Sequence, residues 1–555
     1  MYSDARSTIH GMRIFIVFLL GLALLWPKSG ESAAQVPILP QASVDTTYSP
    51  PSGNTFIVNA GGDLQAAIDK AVPGDTIVLQ AGATFTAGTT FTLRNKTGSG
   101  WIYIQSSAYT NLPAPGTRVT PADAANMPKI VGTSSGVYAI QTDSQAHNYR
   151  FVGIEIRPAA SNFVFNLVTI GGSEISLANL PHHIIFDRCY VHGDPSVGGR
   201  RGIGMHGNFI GVIDSYLSDF KESGADTQAL WGNDGAGPFR IHNNYLEAAG
   251  ENIMFGGQDP NITNLVPSDI TITRNHFFKP PSWKGLAWDV KNLLEFKFGQ
   301  RVLIEGNIFE NNWASAQSGL SIVITPRNAG GSDPWSVTQD ITFRLNKLIN
   351  IGGGFNIYGD DDVAGHPTLL TRRVLIENNT FTLLNWDPND NRTVFQIGRG
   401  PSDVAIRHNT AFVLPGAAGR SAYVLNAGTR LSDNFDFTDN IIDFSTYGFM
   451  GDFTNTAQAT LNLHFTATYT FTKNAWIANL STPTSTAYPA GNFFPASIAA
   501  VGFVNFAGGD YHLLVSSPYK GAGTDGKDLG ADIDALTAAI AGASSLSPPR
   551  NLRVQ

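Results

Sequence analysis

The 555-residue chain carries 36 basic and 44 acidic residues, a formal net charge of −8, so it lacks the basic surplus that a nucleic-acid-binding surface requires. With 42% hydrophobic residues, 14% charged residues and 58 glycines, it has neither the composition of a disordered chain nor that of a membrane-embedded one. A single cysteine, Cys189, excludes an internal disulfide framework.

In chain order, Arg6 and Arg13 precede an apolar run from Ile14 to Trp26, and Ser32-Ala33-Ala34 follows it. This is the layout of a secretory signal over residues 1–34, expected to be cleaved after Ala34 and to direct the protein to the bacterial periplasm, cell surface or medium. The apolar run is short for a bilayer crossing of about 20 residues, and no membrane span is expected after cleavage. Residues 35–54 read as a linker. The stretch "GGDLQAAIDKAVPGDTIVLQAGATF" opens with an amphipathic helix, Leu64, Ala67, Ile68 and Ala71 on one stripe, followed by a Pro-Gly-Asp turn and a strand.

One phrase then recurs: "IIFDRCYV", "GVIDSYL", "FRIHNNYL", "ITITRNHFF", "VLIEGNIF", "ITFRLNKLI", "VLIENNTF", "VAIRHNTAF", "FDFTDNII" and "YTFTKNAWI". Between its two short strands stand Cys189, Ser215, Asn244, Asn275, Asn307, Asn346, Asn379, Asn409, Asn440 and Asn474, spaced 26 to 39 residues apart. Asparagine tolerates the left-handed geometry of a tight bend, and stacked asparagines can bond from coil to coil. Cys189 falls on this column, which makes it structural. Another short apolar strand precedes each phrase, among them "GIGMHG", "ENIMFGG", "NLLEFK", "SIVITP", "FNIYGD" and "VFQIG". Three short strands per repeat with period-2 alternation predict an all-β, right-handed parallel β-helix over residues 55–535, capped by the N-terminal helix. Residues 506–534 lack the rung and are expected to close the far end, and 536–555 read as a tail.

"DLQAAIDKAVPGDTIVLQAG", the asparagine rungs and "DYHLLVSSPYKGAGTDGKDLGA" resemble the pectate-lyase-like right-handed β-helix superfamily across nearly all of residues 55–535. That superfamily holds polysaccharide lyases, glycoside hydrolases, esterases and non-catalytic adhesins, so the resemblance implies a fold and leaves the reaction open. "GENIMFGG" resembles the Gly-Glu-x-Glu-Ile strand of alginate lyase and chondroitinase B relatives, in which a glutamate pair binds calcium and a lysine follows. Glu251 matches the first glutamate, but Ile253 stands at the second and Gln258 at the lysine, so a metal and a base would have to be rebuilt elsewhere.

Alternation supplies candidates for that rebuilding. In "NLLEFK", Leu294 and Phe296 point inward, leaving Leu293, Glu295 and Lys297 outward. His206, Asn252, Met254, Thr325, Asn356, Tyr358 and Gln396 face outward on other coils by the same rule, and Asp226 and Gln228 lie at the mouth of their strand. Loops carrying Trp283, Trp288, Trp313 and Trp335 are expected to raise a cleft over this wall. Lys297, Lys291 and Arg327 are the candidate catalytic cations; a lysine amine among other cations suits removal of the proton α to a uronate carboxylate. His206, Gln228, Asn252, Trp283, Trp313, Asn356 and Tyr358 are candidate substrate contacts. Glu251 and Glu295, and separately Asp360 and Asp361 in "YGDDDVAGH", are candidate ligands of Ca2+.

The leading expectation is a monomeric secreted lyase cleaving an acidic, uronate-containing polysaccharide by metal-assisted β-elimination. A glycoside hydrolase pairing Glu295 with Asp360 or Asp361 and a non-catalytic carbohydrate-binding β-helix remain open.

Overall fold

The computed structural model describes residues 34–541 except 87, 89, 361–364, 384–386, 414–417, 426–429 and 479–480. Residues 1–33, the end of the tail and Asp361 therefore lie outside the described residues. Three parallel sheets of 14, 13 and 12 strands stack along one axis, each coil adding a short strand to each sheet. Sheet 1 runs from Thr55–Val58 to Tyr469–Thr472, sheet 2 from Thr84–Thr86 to Ala475–Ile477 and sheet 3 from Phe91–Leu93 to Phe449–Gly451. This is the parallel β-helix that the repeat predicts. Among the described residues no helix is long and apolar enough to cross a membrane.

Inward residues of successive coils stack on like residues and fill the lumen. Leu294 and Phe296 of sheet 3, Val302 and Ile304 of sheet 1 and Phe309 of sheet 2 are all at most 1% exposed. Phe255 stacks on Phe296 at 5.4 Å and Phe277 on Phe309 at 4.3 Å, each pair one coil apart.

The rungs lie between sheets 1 and 2. Asn275 donates its backbone N–H to Asn307 Oδ1 at 2.9 Å and its side-chain Nδ2 to the same oxygen at 3.0 Å. Each asparagine from Asn244 to Asn440 bonds the next in this way, and Asn474 passes the ladder on to Asn492, a rung that the repeat phrase does not contain. Cys189 and Ser215 begin the column through N–H donation to Ser215 Oγ and Asn244 Oδ1. Burial pushes the Cys189 thiol up to about 12, in keeping with a structural role. The left-handed residue expected at the rung sits one position earlier, as at Arg274 (φ 56°), Leu345 (φ 54°) and Lys473 (φ 60°). The bend is made there, and the asparagine is needed for its inward amide.

The helix Leu64–Lys70 caps the first coil as expected, with the Asp63 side chain accepting from Ala66 N–H and Leu64 and Ile68 buried. The far end differs from expectation. It is closed by the helix Ala457–His464, which sends Ala457 and Leu461 into the main core with Phe465 and Tyr488. The 506–534 segment instead packs along the flank of sheet 2, where Phe503, Leu513, Tyr519 and Leu529 join Phe412 and Ile441 in a separate apolar cluster. Order continues beyond 535: the helix Ile533–Ile540 buries Leu536 and sets Ala539 against Gly306.

Residues 34–49, the last residue of the expected signal and most of the expected linker, form a strap along the outside of sheet 1 that runs against the direction of coil growth. Ala34, Gln35, Ile38 and Gln41 donate backbone N–H groups to Asp436, Asp403, Asp340 and Asp269 in turn, at 2.8–3.2 Å. Arg150 then donates to the carbonyls of Thr46 and Thr47, and Tyr103 donates to that of Ser49.

Candidate functional site

The outer face of sheet 3 carries one register column: Gln141, Thr169, Gly204, Trp231, Met254, Glu295, Val323, Asn356, Gln396 and Tyr423. Loops rise on both sides of it. On one side Asp259 accepts from Gly330 N–H, Ser332 N–H and Ser332 Oγ at 2.7–2.8 Å, tying the 258–262 loop to the 327–335 loop. On the other, Asp390 accepts from Ala314 N–H at 2.6 Å and Lys284 pairs with Asp387 at 3.2 Å.

Between these walls lies a cavity of about 310 Å³, around which Glu295, Lys297, Arg327, Asn356, Tyr358 and Gln396 converge. Each is placed by its coil. Lys297 follows inward Phe296, and its carbonyl accepts from Arg327 N–H at 2.8 Å, which sets the two cations side by side on successive coils. The Tyr358 ring lies over Gly398, where a Cβ would come within 2.5 Å of the ring. Gln396 donates to Asn356 Oδ1 at 2.9 Å and accepts from Asn391 at 3.1 Å, giving the floor a fixed amide row.

Behind the cavity is a buried charge network. Lys297 Nζ is 2.5 Å from Glu295 Oε1, and Asn292 donates to Glu295 Oε2 at 2.7 Å. Gln228 donates to Glu251 Oε2 at 2.7 Å and accepts from Arg201 Nε at 2.9 Å. Glu251 and Glu295 stand on neighbouring coils close enough to act on each other, and their pKa values part. Burial, then the charges of Glu295 and Asp226, pushes Glu251 up to about 8. Burial acts upward on Glu295, but the Lys297 ammonium and the Asn292 hydrogen bond together hold it below the usual carboxylate range. Lys291 pairs with Asp226; burial alone would lower its pKa, yet the Glu251 and Asp226 charges raise it.

Lys279, which sequence reasoning missed, is fully buried and donates to the carbonyls of Ala248, Ala249 and Gly250 at 2.7–2.8 Å, clamping the turn that presents Glu251. Burial lowers its pKa to about 7. Nothing in the strand it follows, His276–Phe278, signals those partners, which lie some thirty residues back in the chain.

Several expected contacts fall elsewhere. Trp283 and Trp313 are buried with Ala249 and Val290 beneath their own loops, where they exclude water from the wall and cannot stack on a sugar. Asn252 is turned into the corner between sheets, donating to the carbonyls of Leu246 and Phe278 at 2.6 and 3.0 Å. Gln228 is 1% exposed, with both amide atoms used within the network. Leu293 is buried in the core, not outward. Lys291 is directed to Asp226 and is not among the residues lining the cavity. Asp360 is held by Arg399 at 2.5 Å and also lies outside that lining. His206 is buried in a different depression of the same sheet, and burial lowers its pKa to about 3.

A Ca2+ ion takes six to eight oxygen ligands. Glu251 and Glu295 bring two carboxylates together, but a lysine ammonium already neutralises Glu295. Among the described residues no group of three or more acidic, histidine or cysteine side chains is placed to hold a metal. The donor set therefore fits Ca2+ poorly, and no step below is routed through it.

No family model and no curated protein matches the chain. Solved structures similar to it include the pectate lyase Pel9A, at 13% identity over 88% of this chain and 98% of that one, TM-score 0.34. The PL6 family alginate lyase AlyGC is 13% identical over 89% of this chain and 59% of that one, TM-score 0.47. A GH87 α-1,3-glucanase from Streptomyces thermodiastaticus strain HF3-3 is 11% identical over 82% and 71%, TM-score 0.43. These likenesses extend to architecture and not to a reaction.

Proposed function

We propose that the chain is a carbohydrate-active enzyme that cleaves a uronate-containing polysaccharide by β-elimination in the sheet-3 cavity. The observation that carries this reading is the convergence of Lys297, Arg327 and Tyr358 on one walled cavity, with Glu295 against the lysine. In the proposed reaction Arg327 pairs with the uronate carboxylate, which makes the adjacent C5 proton removable. Lys297, in its amine form, takes that proton, and Glu295 steadies the ammonium that results. The C5 electron pair forms the C4=C5 double bond as the C4–O4 bond breaks, and the Tyr358 hydroxyl gives its proton to the departing oxygen.

The glycosidase pairing expected from the sequence, Glu295 with Asp360, gains no support, because Asp360 is paired with Arg399 and lies outside the cavity lining.

The test is incubation with pectate, alginate and glycosaminoglycans, following the ultraviolet absorbance of the unsaturated uronate with and without EDTA. Activity is expected to persist in EDTA and to fall by roughly 10²-fold or more in Lys297→Ala, the scale of a lost general base. New reducing ends without that absorbance would replace this reading with hydrolysis. Metal-assisted elimination, the sequence expectation, would return if EDTA abolished turnover.

A further inference from the structure

We infer that a second cavity on the same face, of about 440 Å³ over earlier coils of sheet 3, is a binding subsite for an uncharged sugar unit. It rests on the carbohydrate reading above, but not on the elimination chemistry. Beside it the outer column passes through Gly204, between Thr169 and Trp231, and the room that glycine leaves is taken by the His206 ring, whose Nε2 a Cβ there would meet at 2.9 Å. Gly172 accommodates the same ring, 3.2 Å from where its Cβ would stand. The cavity is lined by amides, hydroxyls and an indole, including Gln141, Thr169, Trp231 and Asn233. Asn233 is 1% exposed; its Nδ2 donates to Asp234 at 3.2 Å, while its Oδ1 has no hydrogen-bond partner. Asn233 lines the cavity, and its buried amide oxygen, lacking a donor, has bonding capacity that a sugar hydroxyl held against that residue can meet.

The electrostatics set this cavity apart from the first. Its described lining contains no lysine or arginine, but it does contain Asp234 and Asp259. His206 is neutral through burial. Arg201, the cation on this strand, donates Nε to Gln228 and holds its guanidinium 4.1 Å from the Trp231 ring centre. A uronate carboxylate would meet two acids in this lining, whereas hydroxyls would meet amides and an aromatic edge. From Gly204 to Val323 is four coil steps, about 19 Å along the axis, so one polymer lying along sheet 3 reaches both cavities. The substrate this selects is a mixed polysaccharide that offers a uronate to Lys297 and a neutral unit several sugars away.

The experiment is calorimetric titration of the full chain with neutral tetrasaccharides of gluco, manno and galacto configuration, alongside oligouronates of equal length. At least one neutral tetrasaccharide is expected to bind, with affinity reduced about tenfold or more in Gln141→Ala/Thr169→Ala and unchanged in Lys297→Ala. Melting curves confirm that the surface double variant is folded. The inference is overturned if no neutral tetrasaccharide binds, or if oligouronates bind in a manner that depends on Gln141 and Thr169 and not on Lys297. Neutral binding without any eliminase activity would remove the proposed function alone; elimination without neutral binding would remove this inference alone.

Discussion

Asn307 supplies one oxygen to two donors of Asn275 and passes its own N–H and Nδ2 to Asn346, all in the fully buried corner between sheets. Asn307→Ala would strand both Asn275 donors, at about 1–3 kcal/mol each. Chemical unfolding should show a larger loss for Asn307→Ala than for Asn492→Ala at the half-buried end of the ladder. Equal losses would mean that the ladder adds nothing beyond local turns. Glu251 makes a second prediction. The folded chain keeps a proton on it that the unfolded chain releases in the ordinary carboxylate range. Its contribution is complete below that range and is lost as pH rises toward about 8. Glu251→Gln, which keeps a neutral side chain throughout, should therefore lose less stability than the parent between about pH 5 and pH 8 in thermal melts. An unchanged slope would place the proton elsewhere. At this scale the sequence made the rung oxygens legible through their repetition. Asn252 and Lys279 were not, because period-2 alternation says nothing about a side chain that turns into a corner between two sheets.

The strap shows why the elements were unevenly legible. Strands announce themselves by alternation, but residues 34–49 have no periodicity, and their partners lie up to 402 positions away. A signal was nevertheless present on the strands. At one register position of sheet 1, Asp269, Arg301, Asp340, Arg373, Asp403 and Asn434 succeed one another, each with φ between 51° and 59°. Arg301 and Arg373 pair with Asp269 and Asp340, which hold the carboxylates toward the strap backbone at 2.7 and 2.6 Å. Asp340→Ala/Asp403→Ala removes the acceptors of Ile38 and Gln35. Limited proteolysis followed by mass spectrometry should then show new cuts within residues 34–45, with the coils intact. Protection equal to the parent's would mean that apolar contact alone seats the strap. The tryptophan loops differ in kind: their aromatic content was visible, but whether a tryptophan faces a ligand or its own loop depends on loop paths that local patterning does not encode.

As a whole molecule the β-helix is a stack in which each coil contacts its neighbours, so stability is shared along the axis and fraying begins at the ends. The helix Ala457–His464 guards one end. Leu461→Glu would place a charge in the main core there, and hydrogen exchange should accelerate over residues 435–477 while remaining slow over 295–358. Uniform acceleration would show that the stack unfolds as one unit instead. The fold was legible because its signal recurs ten times in the chain. The candidate site occurs once, and it is assembled from side chains on four consecutive coils between loops of unequal length, so its composition could be read but its convergence could not.

The strap also imposes an order of events. Ala34 and Gln35 rest on Asp436 and Asp403, which belong to some of the last coils to leave the ribosome. The seat for these two residues does not exist until nearly all of the coils have been wound, and closing a circuit of this length costs entropy. The rest of the strap meets Tyr103, Arg150, Asp269 and Asp340 on earlier coils, so its contacts become available from residue 49 back toward residue 34 as winding proceeds. A strap that meets its coils in reverse order carries, in the contacts of Ala34 and Gln35, a sign that the winding is complete.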